Sequence, residues 1–256
     1  MRRVGALASP EAAMRLDRIV YSQGFGTRRH CAGLIDAGLV AVGGLVCTDP
    51  ATEIAVESGV TTFSVEGQAW LFHHKAYLML HKPGGYECSQ RPGAWPGVYT
   101  LLPAPLRQRP GAGKSPGVQA VGRLDQDTTG LLLLTDDGAF VHRMNSPRHQ
   151  VPKVYQVTTR HPLDAAQLQH LLEGLALHDE PRPVRAAAAR ALGERQLELT
   201  LTEGKYHQVK RMLAAVGNRV EALHRSQVGT LTLTAALAPG RWRWLTGDEV
   251  AALGAG

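Results

Sequence analysis

Gly122-Arg123-Leu124-Asp125-Gln126-Asp127-Thr128-Thr129-Gly130, followed at once by Leu131-Leu132-Leu133-Leu134, is the stretch of this 256-residue chain on which the reading turns. A polar loop runs straight into a fully apolar strand, and a scaffold that rigid can present a carboxylate from the loop. Asp125 beside Arg123 is compatible with that use, and equally with a plain ion pair or a turn residue.

Downstream, the pattern predicts an Asp136-capped helix to about Asn145, a strand Val154–Thr159, and a helix from Asp164 to Leu175. In that helix Leu168, Leu171, Leu172 and Leu175 share one face. Gln196–Leu201 alternates as a strand, Lys205–Val216 reads as a helix stopped by Gly217-Asn218, and strands follow near 220–234. Upstream, Tyr77–Leu80 is a short apolar strand ending in a turn, His81 to Gly85, with a basic tip. Pro103, Pro105, Pro110 and Pro116, interspersed with glycines, predict a loop over 103–118. Strands and helices without a βαβ rhythm predict an α+β fold with a mostly antiparallel mixed sheet flanked by helices.

The N-terminal quarter reads differently. Leu16, Ile19 and Val20 share a helical face that Gly24 and Gly26 end. Thr27 is a good N-cap for a second helix to about Ala37, with Cys31, Leu34 and Ile35 inward and Gly38 closing it. Leu39–Val42, Gly43-Gly44 and Leu45–Cys47 read as a hairpin. The expected division is therefore a leader at 1–13, a small module at 14–67, a linker at 68–75 and a larger domain at 76–250.

Composition narrows the class. Lys and Arg number 28 against 22 Asp and Glu, a formal charge of +6 that invites a polyanionic partner without proving one. No stretch approaches the roughly 20 apolar residues of a membrane helix. Arg2 and Arg3 precede a segment broken by Pro10 and Glu11, unlike a secretory signal. Cys31, Cys47 and Cys88 are odd in number and widely spaced, which argues against a disulfide scaffold and for a reducing cytoplasm. Gly111 to Ser115 imitates the end of a phosphate loop, but Gln108 stands where that motif needs glycine. His73, His74 and His81 lack neighbouring ligands at metal spacing, and no G-x-S-x-G elbow is present.

Two further runs carry chemistry. Lys153 and Tyr155 are two apart, hence on one face of a strand. Glu203-Gly204-Lys205-Tyr206-His207-Gln208-Val209-Lys210-Arg211-Met212-Leu213 combines donors with an apolar face, and by itself indicates only an anion nearby.

Together GRLDQDTTGLLLLTDDG, SPRHQVPKVYQV and EGKYHQVKRMLAAVGN resemble the three motifs of RsuA-type pseudouridine synthases, which act on small-subunit (16S) ribosomal RNA. HKPGGYECS and LHRSQVGTLTL…LAPGRWRWLT extend the likeness, and RLDRIV…RRHCAGLIDAGLVAVGG resembles an S4 RNA-binding domain. The resemblance spans about Met14 to Glu249. It implies Asp125 as catalytic nucleophile, Tyr155 as the ring that stacks on uracil, and Lys210 as the cation paired with the aspartate. Arg211 is the alternative partner, since a helix cannot aim both at one point. Arg123, Arg211 and Leu213 are expected at the substrate pocket. Arg15, Arg18, Arg28, Arg29, His30, Arg143, Arg148, Lys153 and Lys205 are expected phosphate contacts. The resemblance implies no cofactor and no metal, a monomer, and the small-subunit uridine known as 516 as target. An isomerase acting on large-subunit (23S) rRNA and a non-catalytic ribosome assembly factor are the rival readings.

Overall fold

The structure is a computed structural model that describes residues 13–111 and 116–254. The expected leader lies almost wholly outside the described residues, as do residues 112–115 of the phosphate-loop imitation. The chain divides into two compact units: one of residues up to Ala76 plus Pro103–Val118, the other of Tyr77–Leu102 plus Gln119 onward.

The first unit opens with β1 (Ala13–Arg15), α1 (Leu16–Ser22) and α2 (Arg28–Asp36). The Thr27 hydroxyl caps α2 by accepting from the His30 amide, and Gly38 follows in the left-handed region. β2 (Val40–Val42) and β3 (Leu45–Cys47) form the expected hairpin, β4 (Glu53–Ala55) pairs with β1, and β5 (Thr62–Val65) lies beside β2. The core is the set the helical spacing selects: Leu16, Ile19, Val20, Cys31, Leu34 and Ile35, closed by Val40, Phe63 and Phe72.

Two expectations fail here. The stretch expected as a linker, 68–75, contains β6 (Gln68–Leu71), which pairs with β5, and buries Phe72. The expected loop at 103–118 contains α3 (Ala104–Gln108), with Pro105 in its first turn where a missing N–H costs nothing. Behind α3, Arg109 is buried and donates to Gln23 Oε1 at 2.7 Å and to the His73 carbonyl at 2.8 Å. Gln23 Nε2 donates to the same carbonyl at 3.0 Å. Gly24, at φ +91°, admits this return, because a Cβ there would stand 2.1 Å from the Pro105 carbonyl oxygen. Arg109→Met would strand these buried acceptors and should cost about 3 kcal/mol. Denaturant unfolding should show that loss, and an unchanged midpoint would mean the segment is only draped over the unit.

The second unit is one mixed sheet in the order β11-β12-β10-β13-β9-β7-β15, with β8 on β9 and β14 on β13. The strands are β7 (Tyr77–Lys82), β8 (Gln119–Val121), β9 (Thr129–Thr135), β10 (Lys153–Thr159), β11 (Ala188–Gly193), β12 (Gln196–Leu201), β13 (Val220–Val228), β14 (Leu231–Thr232) and β15 (Trp242–Trp244). The helices are α4 (Gly138–Asn145), α5 (Ala165–Glu173), α6 (Gln208–Ala215) and α7 (Gly247–Ala252). Every pairing in this sheet is antiparallel except β9 with β13, which confirms the expected α+β class. The four leucines of β9 are buried: Leu131 and Leu133 join Met79, Phe140 and Met144 in one cluster, and alternation turns Leu132 and Leu134 to the other face.

Smaller differences have local causes. Asp137, not Asp136, caps α4, since its Oδ1 accepts from the Ala139 amide at 3.0 Å. Of the four expected leucines only Leu171 is buried on α5, which ends at Glu173. α6 starts at Gln208 rather than Lys205 because His207 sits at φ +46°, a left-handed conformation that interrupts a helix. No helix among the described residues is long and apolar enough to cross a membrane.

Candidate active site

The loop before β9, the start of β10, the middle of β13 and the turn before α6 line one cavity of about 560 Å³, wholly within the larger unit. The loop that carries Asp125 is built around Lys82, the last residue of β7. Lys82 is fully buried, and its ammonium donates to the carbonyls of Pro83, Asp125, Gln126 and Thr128 at 3.1, 2.9, 3.1 and 2.7 Å. Burial holds its pKa below that of an ordinary lysine. The lysine expected at the basic tip of a turn is therefore the internal support of the loop. A signal was available, since Leu78, Leu80 and Lys82 share one strand face.

Where the loop becomes β9, Gly130 takes φ +111° and lies opposite Arg225 in the parallel pairing of β9 with β13. A Cβ on Gly130 would sit 2.2 Å from the Arg225 carbonyl oxygen, so this close approach requires glycine.

Asp125 Oδ2 is 3.0 Å from Lys210 Nζ, and Asp125 Oδ1 is 3.4 Å from His207 Nε2. Lys210 also donates to both Asp127 oxygens, at 2.7 and 3.0 Å. Burial works against the Lys210 charge, but the two carboxylates outweigh it and raise its pKa above the ordinary lysine value. Burial likewise opposes the Asp127 charge, and the Lys210 hydrogen bond and charge reverse that, leaving a lowered pKa. One ammonium is thus shared between the Asp125 and Asp127 carboxylates.

Tyr155 lines the cavity at 8% exposure, between Leu199 and Arg225 in register. Lys153 lines it from the same strand face and donates to the Val151 carbonyl at 3.0 Å. Its pKa is lowered by burial and by the Arg225 charge. Arg123 and Lys205 also line the cavity.

Four expected site residues of this unit lie elsewhere. Arg211 turns away from Asp125: its Nη1 donates to Glu180 Oε1 at 3.0 Å and to the Tyr206 carbonyl at 3.2 Å, and its Nη2 donates to the His178 carbonyl. Leu213 is buried on the core face of α6 and is not a cavity wall, a role taken by Leu124, Leu201 and Leu223. Arg148 is exposed and does not line the cavity. Arg143 lies over the Phe140 ring at 5.5 Å, away from the cavity. In the first unit Arg15, Arg18, Arg28, Arg29 and His30 are all exposed; Arg15 pairs with Asp17 at 3.0 Å and Arg28 lies 5.2 Å over the Tyr21 ring. His207, Cys88 and Arg225, which line the cavity, and Asp127, which does not line it but pairs with Lys210 at 2.7 Å, were missed as site residues.

Residues 76–215 match the RNA pseudouridylate synthase family, and residues 14–59 match the S4 domain family. The chain is 40% identical over 242 residues to the ribosomal small subunit pseudouridine synthase A of Yersinia pestis, covering 94% of this chain and 99% of that protein. It is 40% identical over 242 residues to the same-named protein of Escherichia coli K12, covering 94% of this chain and 100% of that one. A crystal structure of a pseudouridylate synthase matches with a TM-score of 0.64 at 36% identity, covering 94% of this chain and 99% of that chain. Likeness of this extent takes in both units and the segments that line the cavity, and on it the chain belongs to the RNA pseudouridylate synthase family.

Proposed function

We propose that this chain isomerises one uridine of small-subunit ribosomal RNA to pseudouridine, the uridine known as 516, with Asp125 as nucleophile. The observation that carries the reading is Asp125 clamped by Lys210 at 3.0 Å in a cavity that Tyr155 also lines. The substrate class is supported by the names of the relatives that align over 94% of the chain. A uridine within a stack cannot present its glycosidic bond, so it must be extruded, at a cost of a few kcal/mol. Stacking on Tyr155 and phosphate contacts from Lys153, Lys205 and Arg123 offset that cost. Arg15, Arg18, Arg28, Arg29 and His30 of the first unit supply further phosphate contacts.

Asp125, paired with Lys210, acts on the extruded nucleotide, by attack at the pyrimidine ring or by eliminating across the ribose. In either route the N1–C1′ bond breaks, the uracil turns on the Tyr155 face, C5 bonds to C1′, the C5 proton leaves and N1 takes up a proton. Atoms and oxidation state balance within the nucleotide, so the reaction consumes no water, metal or redox cofactor. We assign the Tyr155 phenol to removal of the C5 proton. The chain acts as a monomer in the cytoplasm in this reading.

Pseudouridine mapping of rRNA from a strain lacking the chain tests it. One small-subunit site should lose its modification and regain it when the chain is restored. Loss at a large-subunit site would reassign the substrate, and no loss at either would overturn the reading.

The choice between neighbouring cations is separately testable. Lys210→Ala should lower kcat/KM by about 10²–10³-fold, the scale of removing one preorganised electrostatic contact. Arg211→Ala, which touches Glu180 and not Asp125, should cost less than about tenfold. Equal losses in steady-state kinetics would mean the two act only as a shared basic patch.

A further inference from the structure

Building on that reading, the turn before α6 presents a second aromatic surface that the isomerisation itself does not use. Tyr206 is 71% exposed, more open than Trp95 at 47% or Leu192 at 43% in the same unit. It lines the cavity with His207, and the two rings stack nearly parallel, with centroids 3.8 Å apart and planes 21° from each other. One Tyr206 face is therefore covered and the ring plane is set, while most of its surface stays open. The covering imidazole is itself held 3.4 Å from Asp125, so the stack begins beside the proposed reacting carboxylate.

The turn is held rigidly for an exposed segment. Lys205 pairs with Glu180 at 2.6 Å, and its amide donates to Gln208 Oε1 at 2.9 Å. Gln208 Nε2 donates to Glu203 at 3.1 Å, and Arg211 holds the Tyr206 carbonyl at 3.2 Å. Arg211, expected at Asp125, instead fixes the backbone beneath this tyrosine. An exposed aromatic costs hydration, and a fixed one loses little entropy on stacking, so the arrangement suits a flat partner. At a cavity rim lined by Arg123, Lys205 and Lys210, the flat partner that matches the charge is a nucleobase on a phosphate backbone.

We infer that Tyr206, backed by His207, is a stacking subsite for the nucleobase next to the extruded uridine. It holds the RNA strand at the lip of the cavity once the target base has left the stack, replacing one face of the stacking that extrusion removes.

The test is a cycle between protein and RNA, read as equilibrium affinity by fluorescence anisotropy with the full chain. The probes are a nonanucleotide carrying one central uridine among adenosines, and two versions with an abasic residue immediately 5′ or 3′ of that uridine. Tyr206→Ala should weaken binding of the intact oligonucleotide by roughly 5- to 100-fold, the span of one aromatic–base stack. With one of the two abasic probes it should cost less than about twofold, because the partner base is already gone and groups in contact are non-additive. Tyr206→Trp should retain wild-type affinity. Undiminished binding by Tyr206→Ala, or the same loss with all three probes, would overturn the inference. Failure of the underlying function is read separately, from the absence of pseudouridine in the rRNA mapping, which this affinity measurement does not involve.

Discussion

Asp125→Asn should leave a protein that still binds RNA and makes no pseudouridine. The substitution keeps size and hydrogen bonding while removing the nucleophilic oxygen charge, so turnover should fall by about 10⁴-fold or more, the scale seen when a nucleophile is deleted. The fold should stand, because Lys210 retains Asp127 at 2.7 Å. RNA affinity should hold or rise, since a negative charge has left a site that meets phosphates. Single-turnover pseudouridine formation and filter binding check both halves, with Asp127→Asn as the milder control. A rate within tenfold of wild type would remove Asp125 from the mechanism.

Lys82→Met should damage both stability and rate. The methionine fills the space but leaves four carbonyl oxygens of the 83–128 region without their donor. Leaving buried acceptors of this kind unsatisfied costs about 1–3 kcal/mol for each one stranded. The surviving folded fraction should turn over slowly, because the Asp125 and Gln126 carbonyls are the handles by which the loop is held. The pH dependence gives a second readout. Burial lowers the folded-state pKa of Lys82, so the native state bears the cost of the buried charge while Lys82 is protonated. As pH climbs toward the ordinary lysine value of about 10.4, the folded state releases its proton first, and wild-type stability should gain on Lys82→Met. Chemical unfolding midpoints across that range decide it, and parallel curves would mean Lys82 titrates as an exposed lysine does.

What could be read before folding follows from how local each cause is. The four leucines of β9, the Thr27 cap and the two-residue spacing of Lys153 and Tyr155 depend on neighbours in the chain, and all were legible. Asp125, Tyr155 and Lys210 do meet at one cavity. The illegible features depend on distant partners. Lys210 and Arg211 are adjacent on α6, and what separates their roles is Glu180, which lies 31 residues before Arg211. The strand β11 is alanine-rich and mostly exposed, and only its register with β12 makes it a strand. Four prolines concealed α3, because the tolerance of proline in a first helical turn does not show in composition. Lys82 was misplaced because Pro83-Gly84-Gly85 drew the expected turn two residues too early.

The discontinuity of the first unit bears on how the protein is made. The chain leaves that unit at Ala76, spends Tyr77–Leu102 in the second, returns for Pro103–Val118 and leaves again. Domains emerging from a ribosome ordinarily complete in order, at about 5–20 residues per second. Here the Gln23 side chain and the niche over Gly24 must wait for Arg109 and Pro105. By then β7 has already been released, while its partner β9 is only beginning to follow. The nascent protein therefore passes through a stage, lasting seconds, in which neither unit is complete and an apolar strand is unpaired. A gene cut near Lys75 would make that stage permanent for α3, whose surroundings would never be synthesised.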